Sequence, residues 1–348
     1  MKTNKKVLFI LSLTSMILLT GCQNTGENKN ITLGMTEIGQ LNYTDALSSF
    51  TTASEKGEDA QLILRGQGLA YLGLARYEDA KNSFISALTY SSYLPTSLEY
   101  DINYYLATAY YKLDDYDNAI KTYDAILNLD GKESKAYYLR GCVKLDNGDF
   151  DGAVKDFDNS VKLDKQDYEL YINIYKKLAE KGYRTQGEAY LQTVIDSQDK
   201  NMTDYDKGRI CYYLQDYENA RNYLETARDE NNRDIMLMLG QTYEALTDFN
   251  YAASVYSNYL ASNPDAKMYN QLGLCKMHLI DYQGALEAFD AGLELEDTQM
   301  TQTLGFNEIV AYEYLGDFKK AAVLMETYLE TYPEDENALR EYDFLKTR

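Results

Sequence analysis

DYDNAIKTYDAIL (115–127) is the stretch that decides the fold. Tyr116 is followed three residues later by Ala119 and four further on by Tyr123. Residues three and four apart share one face of an α-helix, so the three form a single packing stripe. The arrangement returns in DFDGAVKDFDNSV (149–161), with Phe150, Ala153 and Phe157. RYEDAKNSFISAL (76–88), DYENARNYLETAR (216–228), DYQGALEAFDAGL (281–293) and DFKKAAVLMETYL (317–329) vary the same theme. The small residues in register are Ala46, Ala80, Ala119, Ala153, Gly187, Ala220, Ala252, Ala285 and Ala321, at spacings of 34, 39, 34, 34, 33, 32, 33 and 36. About twelve residues before most of them stands another small residue: Gly34, Gly68, Ala107, Gly141, Gly208, Gly240 and Gly273. Self-similarity at such a period marks a stacked array rather than one globular core.

Two small residues on facing helices let the backbones approach closely, and bulky residues beside them fill the gap. A single helix pair cannot bury its apolar face, so neighbouring pairs must stack and share a core. The pattern resembles the tetratricopeptide repeat, a 34-residue helix-turn-helix unit. Small residues match its positions 8 and 20. Tyr71, Tyr110, Tyr243 and Tyr312 stand at its position 11. Position 17 is aromatic at Tyr43, Tyr77, Tyr116, Phe150, Tyr217, Phe249, Tyr282 and Phe318, and position 24 at Phe50, Phe84, Tyr123, Phe157, Tyr256 and Phe289. The resemblance implies an all-α, right-handed solenoid of about nine repeats over 31–334, closed by a capping helix in 335–348 with Leu339, Tyr342 and Leu345 on its apolar face. Two spacings are long. A loop at 91–99 containing Pro95 is expected to absorb the excess before Ala119, and residues 297–303 the excess before Ala321. The fifth repeat departs most, with Gly187 in place of Ala and Tyr175 where a small residue is expected.

The composition agrees. The 348 residues include 35 Tyr, 3 Pro, no Trp and one His, and 45% are hydrophobic. That is enough apolar mass for a core, and too few prolines for a proline-punctuated β chain or a polyproline linker. The formal charge of -21 argues against nucleic acid, whose phosphates need clustered Lys and Arg.

The N-terminus reads as a targeting segment. Lys2, Lys5 and Lys6 precede an apolar run, Val7 to Thr20, that is short for a membrane span. Leu19-Thr20-Gly21-Cys22 resembles a bacterial lipobox. The resemblance implies a signal peptide at 1–21, a diacylglyceryl thioether on Cys22 and cleavage before it. Residues 22–30, with Gln23 to Asn30 free of apolar side chains, then form a flexible tether. Loss of three lysines and no acids takes the formal charge from -21 to -24. The expected location is the outer face of a bacterial cell membrane, with the lipid rather than the acidic body holding the protein there.

Few residues suggest chemistry. NGDFDGAVKDFD (147–158) imitates a calcium-binding loop through Asn147, Asp149, Asp151, Gly152 and Asp158, but the register places 153–161 inside a helix. An N-capped, acid-rich helix start is the expectation there. Cys142, Cys211 and Cys275 fall on first helices of alternate repeats, too far apart for disulfides. His278 with Cys275 would lack two ligands of a zinc site. No phosphate loop, nucleophile elbow or HExxH string occurs. No catalytic residue, metal or cofactor is expected.

The resemblance points instead to a concave groove lined by positions 2, 5, 9, 12 and 13 of the first helices. The groove candidates are Arg65, Tyr104, Tyr111, Tyr138, Lys176, Tyr205, Arg209, Tyr212 and Tyr213. Tyr and Arg are the residues from which binding hot spots are built. The expected function is a non-catalytic scaffold or adaptor that holds a peptide or protein partner. A glycan- or solute-binding surface lipoprotein is the rival reading. A sugar site would need a compact aromatic pocket, whereas a peptide needs a long stripe. No repeat pairs Lys at position 5 with Asn at position 9, so a clamp for a C-terminal carboxylate is not expected.

Overall fold

The computed structural model describes residues 28–90 and 96–348. Cys22, the targeting segment at 1–21 and Pro95 lie outside the described residues. Nineteen helices run in order through the described residues, α1 (Lys29–Gly39) to α19 (Glu336–Leu345). Nine successive pairs, α1/α2 through α17/α18, correspond to the nine repeats, and α19 follows. The fold is an all-α repeat.

The chain divides into two compact units, 1–163 and 164–348. The first holds α1–α8: α2 (Tyr43–Glu55), α3 (Ala60–Gly73), α4 (Tyr77–Leu88), α5 (Ser97–Lys112), α6 (Tyr116–Leu129), α7 (Ser134–Asp146) and α8 (Phe150–Leu163). The second opens with α9 (Tyr168–Glu180), α10 (Arg184–Asp196), α11 (Asp204–Tyr213), α12 (Tyr217–Thr226), α13 (Arg233–Ala245) and α14 (Phe249–Leu260). It closes with α15 (Ala266–His278), α16 (Tyr282–Leu293), α17 (Thr301–Leu315), α18 (Phe318–Thr331) and α19.

The crossings are packed as the small-residue register requires. Eight alanines of the register, Ala46 through Ala321, have no exposed surface. Position 24 supplies the bulk. Phe50, Phe84, Phe157, Tyr256 and Phe289 are fully buried, each lying where the side chain of a position-8 glycine would otherwise be. A methyl group added at Gly141 would come within 2.7 Å of the Phe157 ring, and one at Gly34 within 2.8 Å of Phe50. Gly68 faces Phe84, Gly240 faces Tyr256 and Gly273 faces Phe289 in the same way. The fifth repeat reverses the arrangement. Tyr175, on the first helix, is buried, and Gly187, on the second, lies against its backbone, so an added methyl would sit 3.0 Å from the Tyr175 Cα.

Acidic residues at the turns are caps. The carboxylates of Asp115, Asp149, Asp216, Asp248, Asp281 and Asp317 each accept from a backbone N–H three residues on, satisfying a donor that the new helix leaves orphaned. The 147–158 stretch is therefore a capped start of α8 and not a calcium loop. All nine turns within repeats also carry one left-handed residue. These are Leu41, Ala75, Asp114, Gly148, Gly182, Gln215, Thr247, Ile280 and Gly316, with φ between 57° and 86°. Only three are Gly, the residue that takes this conformation without steric cost.

Two boundaries differ from the sequence reading. Helix α1 begins at Lys29, inside the stretch read as a tether. The Glu58 carboxylate accepts from the backbone N–H of Asn30 (3.1 Å) and of Ile31 (3.0 Å), capping that helix from the loop after α2. In α19 the buried positions are Ala338 and Leu345, with Tyr342 half-buried against them, while Leu339 is 43% exposed. The packed stripe runs 338, 342, 345, rotated one residue from the expected face. Before α17 the extra residues form a turn in which Asp297 accepts from the Gln299 N–H (2.9 Å) and, through its carbonyl, from that of Met300 (2.9 Å).

Candidate functional site

Within each unit, the first helices of neighbouring repeats touch: α1 with α3 and α3 with α5, then α9 with α11, α11 with α13 and α15 with α17. No two second helices pack comparably. The first-helix side is thus the inner side of the local bend, where the groove candidates were placed. All nine candidates are half-buried on first helices. They fall into two sets, one per unit.

In the first unit Arg65, Tyr104 and Tyr111 reach the next repeat, whereas Tyr138 packs within its own. Arg65 on α3 pairs with Asp101 on α5, and its guanidinium lies 5.9 Å from the Tyr105 ring centroid. The Tyr104 hydroxyl donates to Glu133 (3.2 Å), just before α7, while Lys135 Nζ lies 5.4 Å from its ring centroid. The Tyr111 hydroxyl donates to Asp146 (2.7 Å), at the end of α7. Tyr138 packs its ring 6.0 Å from Phe157. Burial, reinforced by Glu133 and Asp146 respectively, holds the Tyr104 and Tyr111 phenols well above their ordinary pKa. Both remain neutral donors across the physiological range. Both residues stay partly exposed while their hydroxyls are already committed.

The second unit brings five candidates into one patch. Lys176 Nζ sits 4.9 Å from the Tyr213 ring centroid, and Tyr213 packs against Tyr212 and Tyr175, at 5.6 Å in each case. Arg209 pairs with Glu169 on α9 and lies 5.3 Å from the Tyr205 centroid. Burial alone would lower the Arg209 pKa, but the Glu169 hydrogen bond and charge raise it, so the cation is secure. Burial raises the Tyr205 and Tyr212 phenols.

Carboxylate partners of these residues, Asp101, Glu133, Asp146 and Glu169, were not singled out from the sequence. Nor was a buried network in which Asp156, with 2% of its side chain exposed, takes Arg140 (2.6 Å) and Lys144 (2.8 Å), while Arg140 also reaches Asp124 (2.5 Å). A signal existed. One residue before position 24, the preceding three repeats carry the small buried hydroxyls Ser49, Ser83 and Thr122. An acid in that column needs a buried cation.

Cys211 and Cys275 are buried thiols, raised by burial to about 11 and about 12, with Asp216 and Glu244 contributing next. His278 lies flat on Phe249, with centroids 4.1 Å apart. Among the described residues, no group of three or more His, Cys, Asp or Glu is arranged to hold a metal, and no helix is long and apolar enough to cross a membrane.

The chain belongs to the tetratricopeptide repeat family. One model of that repeat matches residues 31–80, 65–134 and 237–298, and a second matches 134–167, together more than half of the chain. Among solved structures, a tetratricopeptide repeat protein from Parabacteroides merdae matches at 15% identity with a TM-score of 0.44, over 79% of this chain and 95% of that one. MamA from Desulfovibrio magneticus matches at 14% identity and 0.41, over 51% of this chain and 99% of that one. Scores this low add nothing to the family assignment. The repeat fold is consistent with a protein-interaction scaffold, and the family is generally non-catalytic.

Proposed function

We propose that the protein is a lipid-anchored, extracytoplasmic scaffold whose first-helix face holds a peptide or protein partner. The observation that carries the reading is the set of half-buried tyrosines on that face, of which Tyr104 and Tyr111 are held by carboxylates and Tyr205 and Tyr213 by cations. Rings fixed in this way lose little entropy on binding, and Tyr and Arg dominate hot spots. The lipobox-like Leu19-Thr20-Gly21-Cys22 supports anchoring through Cys22 on the outer face of a bacterial membrane.

Affinity capture on the mature body tests the groove. The double variant Tyr111→Ala, Tyr212→Ala should fold and lose most of a captured partner, each truncation costing ~1–4 kcal/mol. Lys155→Ala with Asp158→Ala, on second helix α8, should leave capture unchanged. The opposite result would remove the first-helix face from the function. Cys22→Ser should abolish diacylglyceryl labelling, and normal labelling would end the anchor reading.

A further inference from the structure

The second-helix side of the fifth and sixth repeats holds a cleft of about 710 Å³ between α10 and α12. One wall is a helical row on α10, Glu188, Gln192 and Asp196, four residues apart and so on one face. The other is Asp216, Asn219 and Tyr223 of α12 and its cap. Ile195, Leu214 and Cys211 make an apolar floor. Because second helices in this array do not pack on each other, the two walls stay apart.

The charge of the cleft is one-sided. Three carboxylates line it and no cationic side chain does. Two cations stand at its margins, each already held: Arg184 lies 3.8 Å from Glu188, and Lys207 lies 3.1 Å from Asp204 with its Nζ 5.5 Å from the Tyr223 ring centroid. Asp216 is occupied in capping α12, and Asp196 accepts only from Gln192 among the contacts described. In a smaller cleft of about 350 Å³ beside α15 and α16 the cation, Lys276, is part of the lining itself and pairs with Asp281 at 2.8 Å. A second observation points inward from the larger cleft. The Cys211 side chain is only 5% exposed, forms no disulfide and opens onto the floor. An open trough with an apolar floor and acidic walls matches an amphipathic helix flanked by cations, since helices dock by laying an apolar stripe into such a groove.

We propose that the α10/α12 cleft is a second docking site, distinct from the first-helix face, and that it receives an amphipathic helix of a protein partner. Its occupant carries Lys or Arg on either side of a narrow apolar stripe. The apolar stripe covers Ile195, Leu214 and Cys211, and the cations meet Glu188, Asp196 and Asp216. This assignment stands independently of the first-helix reading.

The probe is a short synthetic helix of Leu, Ala and Lys, added to the mature chain. Site-resolved alkylation by a small thiol reagent reports the cleft, since Cys211 lines it. The peptide should slow alkylation of Cys211 and leave Cys275 and Cys142 unchanged. Glu188→Gln with Asp196→Asn alters two surface positions and should weaken binding roughly three- to ten-fold at low salt, an effect that fades as salt rises. A charge-matched control, Asp117→Asn with Asp151→Asn, should change it less than about two-fold. Tyr104→Ala, on the first-helix face, should leave Cys211 protection intact. Equal weakening by both double variants, or peptide binding without Cys211 protection, or no binding at all, would overturn the site. Protection by spermidine alone equal to that by the peptide would overturn the occupant.

Discussion

The eighth and fifth repeats solve the same crossing in opposite ways. In the eighth, Gly273 on the first helix makes room for Phe289, and Ala285 is fully buried. In the fifth, the first helix carries Tyr175, and Gly187 on the second lets the backbones close. Leu191 then replaces the aromatic at position 24, fully buried. The tolerance lies in the total volume at the crossing and not in which helix supplies it, as expected of cores that accept volume-conserving exchanges. The turns differ too: the eighth repeat places Ile280 in a left-handed conformation (φ 63°), the fifth Gly182 (φ 86°).

The largest expected effect is truncation of the ring. Phe289→Ala should cost about 3–5 kcal/mol in urea or thermal unfolding, because Gly273 has no side chain to refill the space. Leu191→Ala in the fifth repeat should cost less, about 2–4 kcal/mol. Equal losses would show that the fifth crossing is as tight as the eighth.

Overpacking comes next. Gly273→Ala and Gly187→Ala should each cost about 1–3 kcal/mol. Their rescues should differ. Phe289→Leu should relieve Gly273→Ala, and Tyr175→Ala should relieve Gly187→Ala, the latter recreating the pair of alanines that the third repeat already uses at Ala107 and Ala119. Failure of both rescues would mean that the two crossings are not governed by volume.

A polar contact at the end of the second unit sharpens the contrast with these apolar crossings. Burial pushes the Glu313 carboxyl up to about 7, with a hydrogen bond to Glu341 and that group's charge adding to it. Two carboxylates can share a hydrogen bond only while one keeps its proton. Since the folded pKa lies above the unfolded one, the associated stability is present below about pH 4.5 and lost as pH rises through about 7. Glu313→Gln should therefore be about 1–2 kcal/mol more stable than the parent chain at pH 8, after allowance for solvent screening, and nearly equal at pH 4. A pH-independent difference would place the proton elsewhere.

The smallest effect belongs to the turns. Ile280 is 73% exposed, so Ile280→Gly removes little burial and relieves a left-handed β-branched residue. Stability should rise by about 0.5–1 kcal/mol, the steric relief being partly offset by the entropy of glycine. Gly182→Ile should move it down by a similar or larger amount.

Amino-acid order alone determined the repeat number, the helix register and the crossing residues of this protein. Each repeats at a near-constant period, and close approach of two helices permits only small side chains. The first-helix residues of the candidate surface were also legible, because register assigns them a side. What surrounds them was not. Asp101, Glu133, Asp146 and Glu169 sit about one repeat away from their partners, and distance in sequence does not reveal which of 55 acids will meet a given Tyr or Arg. The left-handed turns were equally hidden, since Leu41, Ala75, Gln215, Thr247 and Ile280 are residue types that do not favour that conformation, and each is held by a backbone hydrogen bond from the following residue back to the preceding helix. The α10/α12 cleft was decided last of all. It exists because first helices pack together while second helices diverge, and that is a property of stacking rather than of any single repeat.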